Sequence, residues 1–541
     1  MQSTLNNVPG ATQKSRTRHN VCTKPGKGNI VSFEVTRRKF VELLTALSAT
    51  TAISGKAQTA AASRPAQRPA VSRSLTRNRK NLVATQIKAY AWQDEGIDKL
   101  LDNLQQKGNI NTVFAFTFLS EPTDVSGRIP LPDHGTYSKA DPEIGGAFYD
   151  YDPKYFAGTT LKQFHAKNKF NVISEVGPKM KERGMDFFAW DYNNTNANMM
   201  RLIPGFTEVA EIDVYGRRTD SACWNNPDYR AQLTGRIESY LSGYPDQVAG
   251  IIWGCERMGP LDNMIGGGWA TTGISCFCRY CRAKARERDI SVERAKQGYV
   301  KLDKLFQAAA KEQRPPDGYF VTFWRTLLEY PEILSWQTLW NDSYHEIRSE
   351  LYGTAKALAP EKPFGFHIVQ NVTFSPFYSA VDDYAKIQHY TDFVKIASYN
   401  TAGGGRMAGF IKRLCSTIFA DATPQDLTPF YYKVMGYNEA SYDQLGASGL
   451  SVNYIASETK RAIADTNHSI QVYPSVDINV PISAGWKQTT SEGVKAEVEA
   501  AFAAGGDGVV LSREYTEMWL ANLAAAGDAS RKIFAQRNSG M

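Results

Sequence analysis

From Leu82 onward, two hydrophobic patterns alternate along the chain. Short, nearly continuous apolar runs rich in β-branched and aromatic residues predict strands covered on both faces. Between them, apolar positions recur every three or four residues, as on one face of a helix. Strands are expected over Val83–Trp92, Asn111–Leu119, Met185–Tyr192, Val248–Glu256, Pro363–Gln370, Phe393–Asn400, Ile470–Asp477 and Gly508–Arg513. Helices are expected over Gly96–Gln106, Val172–Arg183, Tyr229–Leu241, Ser491–Ala504 and Glu517–Ala525. In the first of these, Ile97, Leu100, Leu101 and Leu104 share a face. A largely helical insertion falls at about 275–360, and another, mostly helix and loop, at about 406–465.

Eight β/α units in series predict an α/β fold: a parallel (β/α)8 TIM barrel with long βα-loop insertions, occupying 81–541. The rival is an open doubly wound sheet. No glycine-rich phosphate loop follows an early strand, which weakens that rival.

Charge changes the picture at the N-terminal end. The 541 residues carry a formal net charge of +7. Residues 1–80 hold fifteen basic side chains and two acidic ones, which leaves 81–541 at −6. The folded body is therefore acidic, and no nucleic-acid partner is expected. The segment Thr36-Arg37-Arg38-Lys39-Phe40 resembles the twin-arginine export signal of bacteria. A modestly apolar run to Ile53 follows, then small residues at Ala57, Ala60, Ala61 and Ala62. The expected organisation is a signal peptide at 1–62, a solvated Arg/Ser/Pro linker at 63–80, and the barrel domain. That resemblance implies the twin-arginine export machinery as a partner and a periplasmic or extracellular location. The apolar run is too short to span a bilayer and is broken by Glu42, so no membrane span is expected in the mature chain.

In such a barrel, the site lies where the strands end. The expected strand ends bring Asp191 and Asn193, Glu256 and Arg257, Asn371, Tyr399 and Asn400, Asp477, and Arg513 and Glu514 to one rim, with His367 in mid-strand. Acids beside aromatic rings suit a sugar: rings stack on its C–H face, and carboxyl groups hold hydroxyls and move protons. Glycoside cleavage needs one carboxyl group as acid and a second as nucleophile or base. Glu256 is the first choice for the acid, because burial at the end of an apolar strand would raise its pKa. Asp477 and Glu514 are the candidates for its partner. Asp191, Asn193, Arg257, His367, Asn371, Tyr399, Asn400 and Arg513 are candidate substrate contacts, although His367 also reads as a buried, hydrogen-bonded core residue. By strand parity, Ile252, Gly254 and Glu256 face the barrel interior, and Trp253 faces the helices. No organic cofactor is expected.

The chain has seven cysteines, three of them in the spacing Cys276-x-Cys278-x-x-Cys281. Three thiolates this close suit one tetrahedral zinc, with Cys223 the best fourth ligand. The alternative is disulfide pairing in an oxidising compartment. A shell of four thiolates would make this a structural zinc, with no open position for catalysis.

The segment Cys223-Trp224-Asn225-Asn226-Pro227-Asp228-Tyr229-Arg230, a helix, a strand ending in Glu256 and the cysteine cluster together resemble the family 42 β-galactosidases of clan A. The resemblance implies Cys223, Cys276, Cys278 and Cys281 as zinc ligands and Glu256 as acid/base. This chain departs from the family pattern at Cys255, where the family has asparagine, and at Asp477, where it has glutamate. The expected function is an exported glycoside hydrolase. A catalytically silent glycan-binding barrel, or a sugar lyase or isomerase on the same scaffold, is the alternative.

Overall fold

A computed structural model describes residues 81–119, 146–166, 169–194, 199–200, 203–267 and 273–539. The expected signal peptide and linker lie outside these residues. Eight parallel strands close into the expected barrel: β1 (Leu82–Ile87), β2 (Thr112–Leu119), β3 (Asp186–Tyr192), β4 (Gly250–Gly254), β5 (Phe364–Ile368), β6 (Phe393–Ala397), β7 (Gln471–Asp477) and β8 (Gly508–Ser512). Each strand pairs with its neighbours in sequence, and β1 closes the ring by pairing with both β2 and β8, Leu82 lying opposite Gly508. At that seam, the Thr85 hydroxyl donates to the Leu511 carbonyl at 2.9 Å.

Expectation and structure part at both ends of the barrel. The first strand stops at Ile87, and Ala89–Glu95 is helical rather than extended. Ala89, Tyr90, Ala91 and Trp92 are all buried. A fully buried helix and a fully buried strand give the same apolar run, so periodicity does not separate them. The last helix covers Leu520–Ser539, later and longer than expected, while Glu517 sits in a short 3-10 turn. This helix packs close to the segment before β2: a Cβ at Gly527 would lie 1.8 Å from the Lys107 carbonyl oxygen, so only glycine fits.

The insertion between β4 and β5 holds the helices Arg279–Glu287, Val292–Ala309, Tyr319–Glu329 and Glu332–Leu358. The connection from β6 to β7 holds Gly403–Leu414, Pro424–Met435 and Val452–Asp465. Between β3 and the helix Pro227–Gly243, the chain forms an antiparallel hairpin, Ala210–Ile212 with Arg218–Ala222. That helix starts at Pro227, with the Asn226 side chain accepting from the Asp228 N–H, which fixes the chain just after Cys223.

Side chains fill the barrel in layers. Phe114, Phe188, Phe393 and Tyr473 form an aromatic floor, with Phe188 5.6 Å and Phe393 6.3 Å from Phe114 between ring centres. Glycines at 250 and 365 make room for it, since a Cβ on either would strike the Phe188 or Phe393 ring. Above the floor lie Trp190, His367 and Lys395. Trp253 points the other way, as parity requires, into a buried aromatic set with Trp224, Tyr344 and Phe366.

Candidate active site and cysteine cluster

Above Trp190, four polar side chains form a continuous chain. The Glu256 Oε1 atom lies 3.1 Å from His367 Nε2. His367 Nδ1 lies 3.3 Å from Lys395 Nζ, and Lys395 Nζ donates to the Tyr399 hydroxyl at 3.1 Å. The strands explain the meeting. Glu256 follows β4, His367 is on β5, Lys395 is on β6, and Tyr399 follows β6. Gly254 lets the imidazole pass close by, because its Cβ would stand 3.1 Å from His367 Cβ. The Glu256 backbone N–H donates to Asn194 Oδ1 at 2.7 Å, which ties the β3 and β4 ends together. Arg406, in the helix after β6, donates to Gln370 Oε1 at 2.8 Å and lies 5.5 Å from the Tyr399 ring centre.

Burial alone would raise the Glu256 pKa, but the hydrogen bond from His367, with the positive charges of Arg406 and Lys395, holds it below the ordinary glutamate value. This is opposite to the direction expected from the strand position. Burial pushes His367 down to about 4, with Lys395 adding to the effect, so the imidazole is neutral at pH 7. Burial likewise brings Lys395 down to about 7, against the pull of Glu256 and with Arg513 and Arg406 assisting.

The structure places the other candidate carboxylates differently. Asp477 is fully buried at the end of β7: Oδ2 accepts from Ala402 N–H and Oδ1 from Val480 N–H, both at 2.9 Å. It joins the segments after β6 and β7. Glu514 is also buried, paired with Lys88 at 3.0 Å and accepting from the Tyr90 hydroxyl at 3.1 Å. Asp191 faces the helices, not the rim. Phe188, Trp190 and Tyr192 take the interior face of β3, and Asp191 lies 2.9 Å from Arg236 Nε and 3.0 Å from the Tyr240 hydroxyl. Asn193 completes that cluster by accepting from Arg236 and donating to Asp191.

Several expected substrate contacts are engaged with the protein itself. Arg257 is buried, ion-paired with Glu211, and donates to the Ala222 carbonyl at 2.6 Å. Asn400 is buried and donates to the Leu450 carbonyl, and Asn371 is buried in the short helix Gln370–Phe374. Arg513 pairs with Glu517 and keeps about a third of its side chain exposed. Tyr399 and His367 do join Glu256. Sequence reading missed Lys395 and Arg406. A lone lysine inside the apolar run Phe393–Ala397 was the available signal for the first; Arg406 was hidden in an insertion.

Two predictions follow from the buried charges. Asp191→Ala strands the Arg236 guanidinium, which has no exposed surface. Unfolding free energy is expected to drop by about 3–5 kcal/mol in denaturant titration, and a loss under ~1 kcal/mol would contradict the buried pairing. The second concerns Asp477. Burial raises its pKa to about 6, and Glu497, whose carboxylate accepts from the Asp477 N–H, is raised as well, by burial and by Asp477. A carboxyl group with a raised folded pKa gives stability that is present below its unfolded value of 3.8 and lost as pH rises through about 6. Glu497→Gln removes the ionisable partner, so it is expected to flatten the decline in melting temperature over that window. An unchanged pH slope in thermal unfolding counts against the pair.

The cysteines gather as expected. The sulfurs of Cys223, Cys276, Cys278 and Cys281 all lie within 4.8 Å of one another, all four are buried, and none is in a disulfide. Cys223 Sγ is 3.4 Å from both Cys278 Sγ and Cys281 Sγ. Tetrahedral zinc with Zn–S bonds of ~2.3 Å sets sulfurs about 3.8 Å apart, so the four fit a metal ion such as zinc. Hydrogen bonds steady the sulfurs from outside: Asn225 N–H donates to Cys223 Sγ, Asn225 Nδ2 to Cys281 Sγ, and Cys278 N–H to Cys276 Sγ. Burial and the adjoining sulfurs push the Cys276 thiol well up, while donation from Cys223, Cys276 and Cys281 pulls Cys278 down. Arg257 links this cluster to the site, because its partners Ala222 and Glu211 flank Cys223 and, through the Ser275 hydroxyl on Glu211, Cys276.

No protein-family model and no curated protein matches the chain. Solved structures do resemble it at low identity. An α-L-fucosidase from Paenibacillus thiaminolyticus is 10% identical, with TM-score 0.45, over 85% of this chain and 50% of that one. A β-galactosidase from Halorubrum lacusprofundi is 15% identical, with TM-score 0.48, over 84% and 58%. A family 42 β-galactosidase from G. stearothermophilus is 11% identical, with TM-score 0.47, over 85% and 58%. The chain therefore spans between half and three fifths of the length of these proteins.

Proposed function

We propose that this barrel is a glycoside-cleaving enzyme with Glu256 as its reacting carboxyl group. One comparison among the rim carboxylates supports the reading. The Asp191, Asp477, Glu514 and Glu517 side chains are at most a few per cent exposed and are held by cations or backbone N–H groups, whereas Glu256 keeps 23% exposure and rests on a neutral imidazole. It is thus the group among them that a bound sugar can reach. Tyr192, edge-on to Trp190, and Tyr399, bonded to Lys395, are the aromatic rings proposed to meet the sugar. The chemistry assigned to Glu256 is proton transfer to the departing glycosidic oxygen. Hydrolysis of a panel of aryl and alkyl glycosides and of plant and bacterial polysaccharides, by the wild-type protein and Glu256→Gln, tests the reading. Wild-type turnover that Glu256→Gln does not diminish removes the assignment.

A second reading draws on the sealed carboxylate of Asp477. Without that partner, His367, Lys395 and Tyr399 suit abstraction of a sugar proton, as in a lyase or isomerase. Release of an unsaturated or rearranged sugar, with no hydrolysis, would favour it.

The metal proposed for the four cysteines is structural zinc. Bound there, it contributes a closed tetrahedral cross-link and no open coordination position. Export through the leader at 1–62 completes the proposal. Protein recovered from the periplasm with an N-terminus near 63, dependent on Arg37 and Arg38, is the expected result. No helix among the described residues is long and apolar enough to cross a membrane.

A further inference from the structure

We propose that Lys395 is a positioning residue that delivers the proton of Glu256 through His367. The inference rests on the reading of Glu256 as proton donor and supplies what that reading lacks. At rest, Glu256 is held as a carboxylate, so something must give it the proton it passes on.

The chain of contacts defines the route. Lys395 Nζ, as an ammonium, has donors only, so His367 Nδ1 at 3.3 Å must accept. The neutral imidazole then carries its hydrogen on Nε2 and donates to Glu256 Oε1 at 3.1 Å. Delivery is a double shift. The Nζ–H bond breaks as Nδ1–H forms, and the Nε2–H bond breaks as Oε1–H forms. The lysine becomes a neutral amine, the imidazole stays neutral with its hydrogen moved to Nδ1, and Glu256 becomes a carboxylic acid. A buried ammonium–carboxylate pair is replaced by neutral groups, which a low-dielectric interior favours. No charge enters or leaves the barrel.

The surroundings suit the shift. Lys395 has no exposed surface and is faced by His367 from β5, by Glu256 beyond β4, by Tyr399 and Arg406 after β6, by Arg513 after β8, and by the Trp190 ring of β3 at 5.6 Å. The charge of Arg348, from the helix Glu332–Leu358, also acts on the imidazole. Arg406 and Arg513 crowd the ammonium with like charge, and the Tyr399 hydroxyl at 3.1 Å keeps the amine bonded after it has given up its proton. Burial places the lysine near neutrality, at about 7.

Two variants separate delivery from mere support. Lys395→Met removes the donor. Lys395→Arg keeps a cation and donors but never yields a proton. Each is compared with the wild type on two glycosides of the same sugar: an alkyl glycoside, whose leaving oxygen needs a proton, and a dinitrophenyl glycoside, whose does not. Both variants are expected to lose about a hundredfold on the alkyl glycoside and to keep the dinitrophenyl rate. The wild-type alkyl rate should fall above about pH 7, and that limb should vanish in Lys395→Arg. Full activity of Lys395→Arg on the alkyl glycoside, or equal losses on both glycosides, overturns the proposal. A second arm needs no turnover. In protein labelled with 13C at lysine Cε, the Lys395 resonance, assigned by its absence in Lys395→Met, is expected to titrate near neutrality and to move to lower pH in Glu256→Gln. A titration indifferent to Glu256→Gln overturns the coupling even if no glycoside is cleaved.

Discussion

Glu256→Gln is expected to lower turnover on alkyl glycosides by ~10²–10⁴-fold while leaving the fold intact. The amide oxygen still accepts from His367 Nε2, where the carboxylate oxygen now lies at 3.1 Å, and the backbone N–H still reaches Asn194. What disappears is the ability to carry a proton. The loss should therefore persist at every pH, whereas the wild-type rate varies with the state of the chain behind Glu256. Steady-state rates over a pH series, with thermal unfolding as the control for folding, check this. A variant rate within a factor of about three of wild type would remove Glu256 from the chemistry.

Removal of metal is expected to have the larger effect on stability. The purified protein should contain zinc in equimolar amount by elemental analysis. Four buried thiols within 4.8 Å of one another are a poor arrangement without a cation once ionised, since like charges that close repel in a low-dielectric interior. At affinities on the order of those of structural sites, zinc bound there would contribute about 10 kcal/mol of apparent stability. Chelation, or Cys278→Ser, should then lower the melting temperature by on the order of 10 °C. Activity should fall with it, because Arg257 joins the cluster's flanking residues to the strand end that carries Glu256. A protein that is fully folded, metal-free and unaffected by chelator would leave the cluster as four packed thiols.

The barrel was legible in the sequence because parallel strands buried on both faces read as continuous apolar runs. The same property hid the start of the helix Ala89–Glu95, whose first four residues are all buried and show no period. Parity turned Trp253 on β4 toward the helices and Glu256, just after β4, toward the interior, as the structure has them. Carried to β3, it would have turned Asp191 outward, since Trp190 and Tyr192 occupy the interior face. The cysteine cluster was readable because three of its four members are set by local spacing. Asp477 was not readable in this way. It stands at the expected strand end, but the amides that seal it come from Ala402, in the segment after β6, and Val480, in the segment after β7, and no local pattern predicts that convergence. Lys395 was visible as a lone charge in an apolar strand, yet its meaning depends on His367 and Glu256, which lie 28 and 139 positions earlier in the chain.

The seam between β1 and β8 also sets the order in which the molecule can be made. Thr85 finds its partner Leu511 across 426 positions of chain. At ribosomal speeds of about 5–20 residues per second, that interval is on the order of a minute. Throughout it, one edge of β1 has no strand to pair with, and an open parallel sheet with a bare edge is prone to sticking to its neighbours. Closure waits for β8 and then for the helix whose Gly527 seats against Lys107. The nascent chain therefore carries that bare edge until β8 and the helix Leu520–Ser539 have emerged, and lesions in that helix are expected to show first as poor yield of folded protein rather than as slow catalysis.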